Sequence, residues 1–121
     1  MTETVAVLGA SPKPERYSNR AVRMLAEYGH RVIPVNPAQS RIEGLPVSRR
    51  LEDVPGPVDT VTLYLSPDHS SPLLPGLLAL KPRRVIFNPG AENPGLESAL
   101  EMAGIEALEA CTLVLLRTGQ F

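Results

Sequence analysis

The chain has 121 residues, of which 43% are hydrophobic and 21% are charged, and its formal net charge is -1. A chain of this length encloses one hydrophobic core, so residues 1–121 are expected to form a single domain. The composition is that of a globular protein rather than a disordered or membrane chain. The nearly balanced charge argues against binding to nucleic acid, which usually requires a strongly basic surface.

The amino-terminal stretch and the few metal-ligating residues narrow the location and the chemistry. The segment "MTETVAVLGA" has no basic region before its short apolar run, so we expect neither a signal peptide nor a membrane span, and a cytoplasmic protein. The single cysteine, Cys111, excludes a disulfide framework and a cysteine-cluster metal site, and its apolar surroundings predict a buried core position. His30 and His69 lie far apart, so no metal site is predicted.

Short apolar runs rich in β-branched residues alternate with helical patterns along the chain. This alternation is typical of consecutive βα units, so the predicted fold class is α/β, a three-layer sandwich with helices on both faces of a parallel sheet. The usual order of such a five-stranded sheet, 3-2-1-4-5, is expected here. The predicted strands are residues 4–8, 31–35, 59–65, 84–87 and 105–108.

The segments between the strands contain helix signals. Ser18 is predicted to cap a first helix, and a second helix is expected to begin near Ser70 because the following prolines are tolerated only in a first turn. Asn93 is predicted to cap a further helix that starts with a proline. Residues 48–54 have room for about one helical turn, too little for a long crossover helix.

The first predicted strand ends at Gly9, where free backbone N–H groups at the carboxyl edge of the sheet can meet a phosphate. The full dinucleotide fingerprint is absent, because Ser11 and Pro14 stand at its second and third glycine positions. The second strand ends at Asn36 rather than at the carboxylate that NAD-binding domains use. NAD is therefore disfavoured, while Arg41 leaves a small NADP-linked or other nucleotide-dependent enzyme as an alternative.

With the expected strand order, the loops after the first and fourth strands flank the ligand crevice. The first loop, "GASPKPERYS", supplies cations and hydroxyls that suit phosphate oxygens. These are Lys13, Arg16, Ser11 and Ser18. The second loop, "NPGAEN", begins with Asn88 and a turn whose backbone can approach a ligand closely.

Several ordered segments together resemble a known family: "AVLGAS", "ERYS", "YGHRVIPVNP", "GLPVSRRLEDVPGPVDTV" and "IFNPGAEN". They resemble the small stand-alone coenzyme A-binding domain proteins, the YccU-like group, which are related to the amino-terminal domain of the succinyl-CoA synthetase α subunit. The resemblance spans nearly the whole chain. It implies a Rossmann-like fold that binds coenzyme A (CoA) or an acyl-CoA along the carboxyl edge of the sheet.

The resemblance also implies which residues bind CoA. Gly9, Ala10 and Ser11 match the phosphate-facing turn of the family, and Asn36 with Pro37 matches the adenosine side. The remaining matches lie in the other loops: Arg16, Ser18, Ser66, Pro67, Asn88, Pro89 and Gly90. Many relatives have a lysine directly after the "VNP" segment, where this chain has Ala38 and Gln39, so one phosphate contact is expected to be missing.

The residues favour a binding module over an enzyme, because no serine has a convincing base and no carboxylate pair stands out. His69 is expected to be a polar loop residue. For Cys111, a mixed disulfide with CoA is a less favoured hypothesis than a core position. A further alternative is the CoA-binding subunit of a split acyl-CoA synthetase, which would require a partner. The apolar segment "TLVLLRTGQF" offers a surface for a homo-oligomer.

Overall fold

The structure is a computed structural model that describes residues 2–121. Its strands are β1 Thr4–Leu8, β2 Arg31–Val35, β3 Arg41–Ile42, β4 Leu45–Pro46, β5 Thr60–Leu63, β6 Arg84–Phe87 and β7 Glu106–Glu109. Its helices are α1 Tyr17–Glu27, α2 Pro67–Ser70, α3 Leu74–Leu80, α4 Pro94–Met102 and α5 Thr112–Arg117. Short 3-10 turns occupy Leu51–Asp53 and Ser71–Leu73, and the first of these lies in the predicted helical turn at 48–54.

The main sheet has five parallel strands, and β3 and β4 form a separate antiparallel hairpin. Side chains alternate across β1, so that Ala6 and Leu8 pack on one face while Val5 and Val7 pack on the other. The first face is covered by α3 and α4 through Leu77, Leu96 and Leu100, and the second by α1 and α5 through residues such as Leu25 and Leu116. The α/β fold, with helices on both faces of the sheet, is confirmed.

The expected strand order, 3-2-1-4-5, is wrong. The observed order is β2-β1-β5-β6-β7, which places the third predicted strand, β5, between the first and the fourth. β1 pairs with β5 from Val5↔Thr60 to Leu8↔Leu63, and β5 in turn pairs with β6. The loop that leaves β1 therefore adjoins the loop that leaves β5, and the loop after β6 is one strand further away.

The segment that follows the hairpin explains why β5 does not pair with β2. Ser48 donates its backbone N–H to the Pro34 carbonyl oxygen and accepts from the Asn36 N–H, at 3.0 Å each. This isolated parallel bridge occupies the outer edge of β2, where the predicted order would have placed β5. Because a strand edge offers one set of hydrogen-bonding groups, β5 pairs instead with the free edge of β1.

The helix boundaries agree with some of the sequence signals and correct others. Asn93 caps α4 by accepting a hydrogen bond from the Leu96 N–H at 3.2 Å, as predicted. Ser18, in contrast, is the second residue of α1 and is buried, and the cap position belongs to Arg16. The helical segment expected from Ser70 already begins at Pro67, because proline suits a first turn.

The carboxyl-terminal segment was expected to offer an oligomer surface, and part of it is used within the core. The short helix α5 packs against α1, with Leu113 and Leu116 buried and Val114 exposed. Cys111, predicted to be a core residue, is only half-buried and stands at the cap position of α5. Across residues 2–121, no helix is both long enough and apolar enough to cross a membrane.

Candidate functional site

Gly9 forms the sharp turn at the end of β1. Its φ is +81°, a conformation that side-chain-bearing residues rarely adopt. A Cβ atom at this position would lie 2.9 Å from Leu65 Cδ2 and 3.3 Å from the backbone carbon of Tyr64. The backbone conformation therefore calls for glycine, and the chain leaving β5 leaves little room for a Cβ atom.

Asn36 joins the end of β2 to the Gly9 turn. Its Nδ2 donates to the Ala10 carbonyl oxygen at 2.8 Å, and its Oδ1 accepts from the backbone N–H groups of Ala38 and Gln39 at 2.7 and 3.1 Å. An aspartate could accept from the two N–H groups but could not donate to Ala10. The amide that counted against NAD in the sequence thus has a structural role as well.

A cavity of about 550 Å³ opens at the carboxyl edge between β2, β1 and β5, and we call it the β1–β5 cavity. This volume is in the range of small-molecule sites, about 300–1,000 Å³. Its location at the strand-order reversal is where open α/β sheets bind ligands. Its wall is apolar at Leu8, Val35, Leu51, Leu65 and Leu73, and it continues along Gly9, Ala10, Ser11, Asn36, Pro37, Arg49, Arg50 and Glu52.

The two predicted cations of the first loop do not line this cavity. Lys13 and Arg16 are exposed, and Arg16 occupies the cap position of α1 without a side-chain capping bond. Ser11 Oγ accepts the Lys13 backbone N–H at 3.1 Å, so this hydroxyl shapes the loop. Arg16 and Ser18 instead lie together at the amino-terminal end of α1.

Asn88 and the turn after β6 lie at a neighbouring position along the same edge. Asn88 Nδ2 donates to Thr62 Oγ1 at 2.7 Å and to the Leu63 carbonyl oxygen at 3.0 Å, while its Oδ1 accepts the Thr112 N–H at 2.9 Å. The amide therefore has partners on both ends and holds the start of α5. Gly90 has a φ of +91° with open space around its Cβ position, so only its conformation calls for glycine.

A second, smaller cavity of about 250 Å³ lies on the α1–α5 face of the same edge, and we call it the Tyr64 cavity. The Tyr64 hydroxyl is buried and has no partner with hydrogen-bond geometry in the described chain. Burial is the main cause that raises the pKa of Tyr64 to about 12, and the hydroxyls of Thr62 and Thr112 offset part of this effect. The other lining residues are Tyr17, Asn88, Pro89, Cys111 and Leu113.

Ser66 and Pro67 follow β5 and begin α2, outside both cavities. Ser66 Oγ lies 3.0 Å from His69 Nδ1, and both side chains are exposed. The neighbouring residue Leu65, which no sequence motif singled out, lines the β1–β5 cavity instead.

Residues 3–117 match the sequence profile of the CoA binding domain family. The chain belongs to this CoA-binding domain family. The family predicted from the ordered sequence segments is thereby confirmed. The match covers the strands and helices that form both cavities.

Individual relatives agree with this membership. The chain is 40% identical to an uncharacterized protein of known crystal structure, with a TM-score of 0.95 over 100% of this chain and 99% of that one. It is 36% identical to a Thermus thermophilus protein, cell-free ID.343, with a TM-score of 0.89 over 98% of this chain and 90% of the other. The uncharacterized protein YneT of Bacillus subtilis (strain 168) is 30% identical over 76 residues, or 63% of this chain and 53% of YneT. The chain thus matches about half the length of that curated relative.

Arg49 and Arg50 line the β1–β5 cavity but were not among the candidate residues predicted from the sequence. Both are exposed, and both line the β1–β5 cavity because the Ser48 bridge brings them beside the end of β2. The two arginines lie in the segment "GLPVSRRLEDVPGPVDTV" that supported the family resemblance, but adjacent arginines by themselves resemble an ordinary charged surface. Only the unusual strand pairing identifies them as cavity residues.

Replacing Gly9 by alanine is expected to destabilise the fold by about 2 kcal/mol or more, because the new Cβ would add a close contact with Leu65 to the strain of a positive φ. Gly90→Ala is the matched control, since its φ is also positive but its surroundings are open, and it should lose only about 1 kcal/mol. Urea denaturation measures both changes. Equal losses would show that the contact with Leu65 does not matter.

Asn36→Asp is expected to lower the free energy of unfolding at neutral pH by about 1–3 kcal/mol, because the carboxylate would face the Ala10 carbonyl oxygen with no proton to donate. Gln39→Glu adds the same charge three residues away and should change stability by less than about 0.5 kcal/mol. Denaturation midpoints compare the variants. An Asn36→Asp protein as stable as the parent would contradict the structural role of the amide.

Stability should fall in alkaline solution because of Tyr64. Its folded-state pKa of about 12 exceeds the ordinary tyrosine pKa of 10.0, so the contribution of Tyr64 to stability is fully present below pH 10 and is lost as the pH rises towards 12. Two pKa units correspond to a loss of up to about 3 kcal/mol. Denaturation of Tyr64→Phe and of the control Tyr28→Phe across this range tests the effect: only Tyr64→Phe should flatten the pH dependence.

Proposed function

We propose that this protein binds CoA or an acyl-CoA at the carboxyl edge of its sheet and acts as a non-catalytic binding module. The observation that carries the proposal is the β1–β5 cavity, which brings the family-matching Gly9 turn and the Asn36–Pro37 segment into one site. Its apolar wall suits an adenine ring, and its polar and charged rim suits the groups attached to that ring.

The Gly9 turn and the start of α1 would hold the diphosphate. Helix α1 has 11 residues, and its first turn contains no acidic side chain that would neutralise the helix dipole. The first N–H groups of a helix have no acceptor within it, and they attract phosphate oxygens. Arg16 and Ser18 lie in this same turn and add a cation and a hydroxyl.

The adenosine would lie beside Asn36 and Pro37, where the apolar wall of the cavity includes Val35 and Leu51. Asn36 has its amide committed to Ala10 and to the following turn. In the proposed binding mode, Asn36 therefore positions the loop. The adenosine would contact the Pro37 ring and the neighbouring apolar side chains.

The pantetheine arm would cross the end of β5 towards the Tyr64 cavity. Consecutive residues line the two cavities, Leu65 the first and Tyr64 the second, so a ligand that crosses this strand end reaches both. Ser66 and Pro67 flank that path, and Pro89 with Gly90 borders its far end, beyond Asn88. The Tyr64 hydroxyl is an unsatisfied donor that a carbonyl oxygen of the arm or of an acyl group would satisfy.

The side chains along this path support binding rather than catalysis. Ser66 and His69 are within hydrogen-bond distance, as a nucleophile and its base would be. Both residues, however, are exposed at the start of α2. No further side chain among the described hydrogen bonds orients the His69 ring. A hydrolytic serine needs a base that is itself held in position and a site that stabilises the oxyanion.

Calorimetric titration with CoA and acetyl-CoA tests the proposal, with NAD, NADP and ATP as comparison ligands. We expect saturable binding of the two CoA species and no release of free thiol from acetyl-CoA. Leu73→Trp, which fills the β1–β5 cavity, should weaken binding at least about tenfold, a loss of about 1.4 kcal/mol. Leu74→Trp is the matched control, because Leu74 is also half-buried on the next position but does not line the cavity.

Four outcomes would contradict the proposal. Absence of heat and of thermal stabilisation at millimolar CoA would remove the assigned ligand. A clear preference for NADP would favour the alternative of a nucleotide-dependent enzyme. Release of free thiol from acetyl-CoA by the parent protein but not by Ser66→Ala would show catalysis. Co-purification of a grasp-domain partner would favour the split-synthetase alternative.

A further inference from the structure

The charges along the β1–β5 cavity differ from those that the loop sequences suggested. Lys13 and Arg16 lie outside its lining, and the cations that do line it are Arg49 and Arg50. Glu52 also lines the cavity, so the lining carries one net positive charge. The Glu52 carboxylate lies against α3. Its Oε2 is 3.0 Å from the position that a Cβ atom on Gly76 would take.

The backbone fixes where in the cavity the two arginines stand. Ser48 bridges to Val35 and accepts the Asn36 N–H, so the next two residues emerge beside the end of β2. This is the adenosine end of the cavity in the proposed binding mode. Of the other nearby cations, Arg41 donates to the Gly44 carbonyl oxygen within its own hairpin.

The adenosine of CoA carries a phosphate on its ribose 3′-oxygen in addition to the diphosphate. We propose that Arg49 and Arg50 bind this 3′-phosphate, so that the site distinguishes CoA from its 3′-dephospho form. This inference rests on the proposed function, since it names the contact that sets the selectivity of that same site.

The two side chains suit this task in different ways. Arg50 Nε lies 3.4 Å from Asp53 Oδ2, and both side chains are largely in solvent, so the contact orients Arg50 without fully satisfying its charge. Arg49 takes part in no ion pair among residues 2–121. A guanidinium group binds two phosphate oxygens at once through its fork of N–H donors, which favours arginine for a terminal phosphate.

The residue after Pro37 strengthens the assignment. Position 38, directly after Pro37, is an alanine and supplies no charge. Among the residues that line the β1–β5 cavity, Arg49 and Arg50 are the cations that can supply the counter-charge of a terminal phosphate. In the proposed binding mode, the counter-charge for this phosphate therefore comes from the segment after β4 rather than from the loop directly after β2.

The experiment compares CoA with 3′-dephospho-CoA by calorimetry for the parent, Arg49→Ala, Arg50→Ala and the double variant. Arg117→Ala is the matched control, because it removes the same charge from the carboxyl-terminal end of α5, outside both cavities. The parent should bind CoA about tenfold or more tightly than 3′-dephospho-CoA, as a charge-assisted phosphate contact predicts. The double variant should lose this preference by weakening only CoA, and Arg117→Ala should retain it.

Other results would overturn the assignment and leave the proposed function intact. These are equal affinity of the parent for the two ligands, a preference for CoA that survives the double substitution, or an equal loss for both ligands, which would place the arginines on the diphosphate. Because Arg49 and Arg50 are exposed, the variants are expected to fold, and circular dichroism confirms this for each. Binding of neither ligand to the parent would overturn the proposed function itself, and this assignment with it.

Discussion

The candidate site depends on the close approach of the chain at Gly9 to the chain that leaves β5. The space where a Cβ of Gly9 would stand is taken by the Leu65 side chain and by the Tyr64 backbone, so the two strand ends lie close together. From this point the loops separate, one towards α1 and one towards α2 and α3. Their separation opens the β1–β5 cavity on one side and the Tyr64 cavity on the other.

Asparagine amides then fix the loops around this approach. Asn36 holds the end of β2 to the Gly9 turn, and Asn88 holds the start of α5 to β5. Asn93 caps α4 while it donates to Ser70 and Ser71 at the end of α2. Each amide donates and accepts at the same time, which a carboxylate cannot do at neutral pH. These amides therefore form hydrogen bonds within the chain that hold the loops of the carboxyl edge in place.

The arginines at the two edges of the sheet differ in burial and in their partners. At the amino edge, the buried Arg84 donates to Thr60 Oγ1 at 2.9 Å and to the Phe121 carbonyl oxygen at 3.2 Å, and it faces the Phe121 ring at 4.5 Å. Glu3 pairs with it and with Arg83, so this edge is closed by internal contacts. The arginines at the carboxyl edge remain exposed to solvent. Their charge is available to a ligand, whereas that of Arg84 is already matched.

Local patterns along the sequence determined the fold class, the bounds of the first two strands and the cap of α4, because each depends on residues close together in the chain. They also identified Gly9 and Asn36, whose residue types reflect sharp local geometry. The strand order, the burial of Ser18 and the placement of Arg49 and Arg50 depended on the tertiary structure. The strand order and the placement of Arg49 and Arg50 involve the Ser48 bridge at the edge of β2, a contact between segments that are separate in the chain. The burial of Ser18 depends on how α1 packs against β1, β2 and α5.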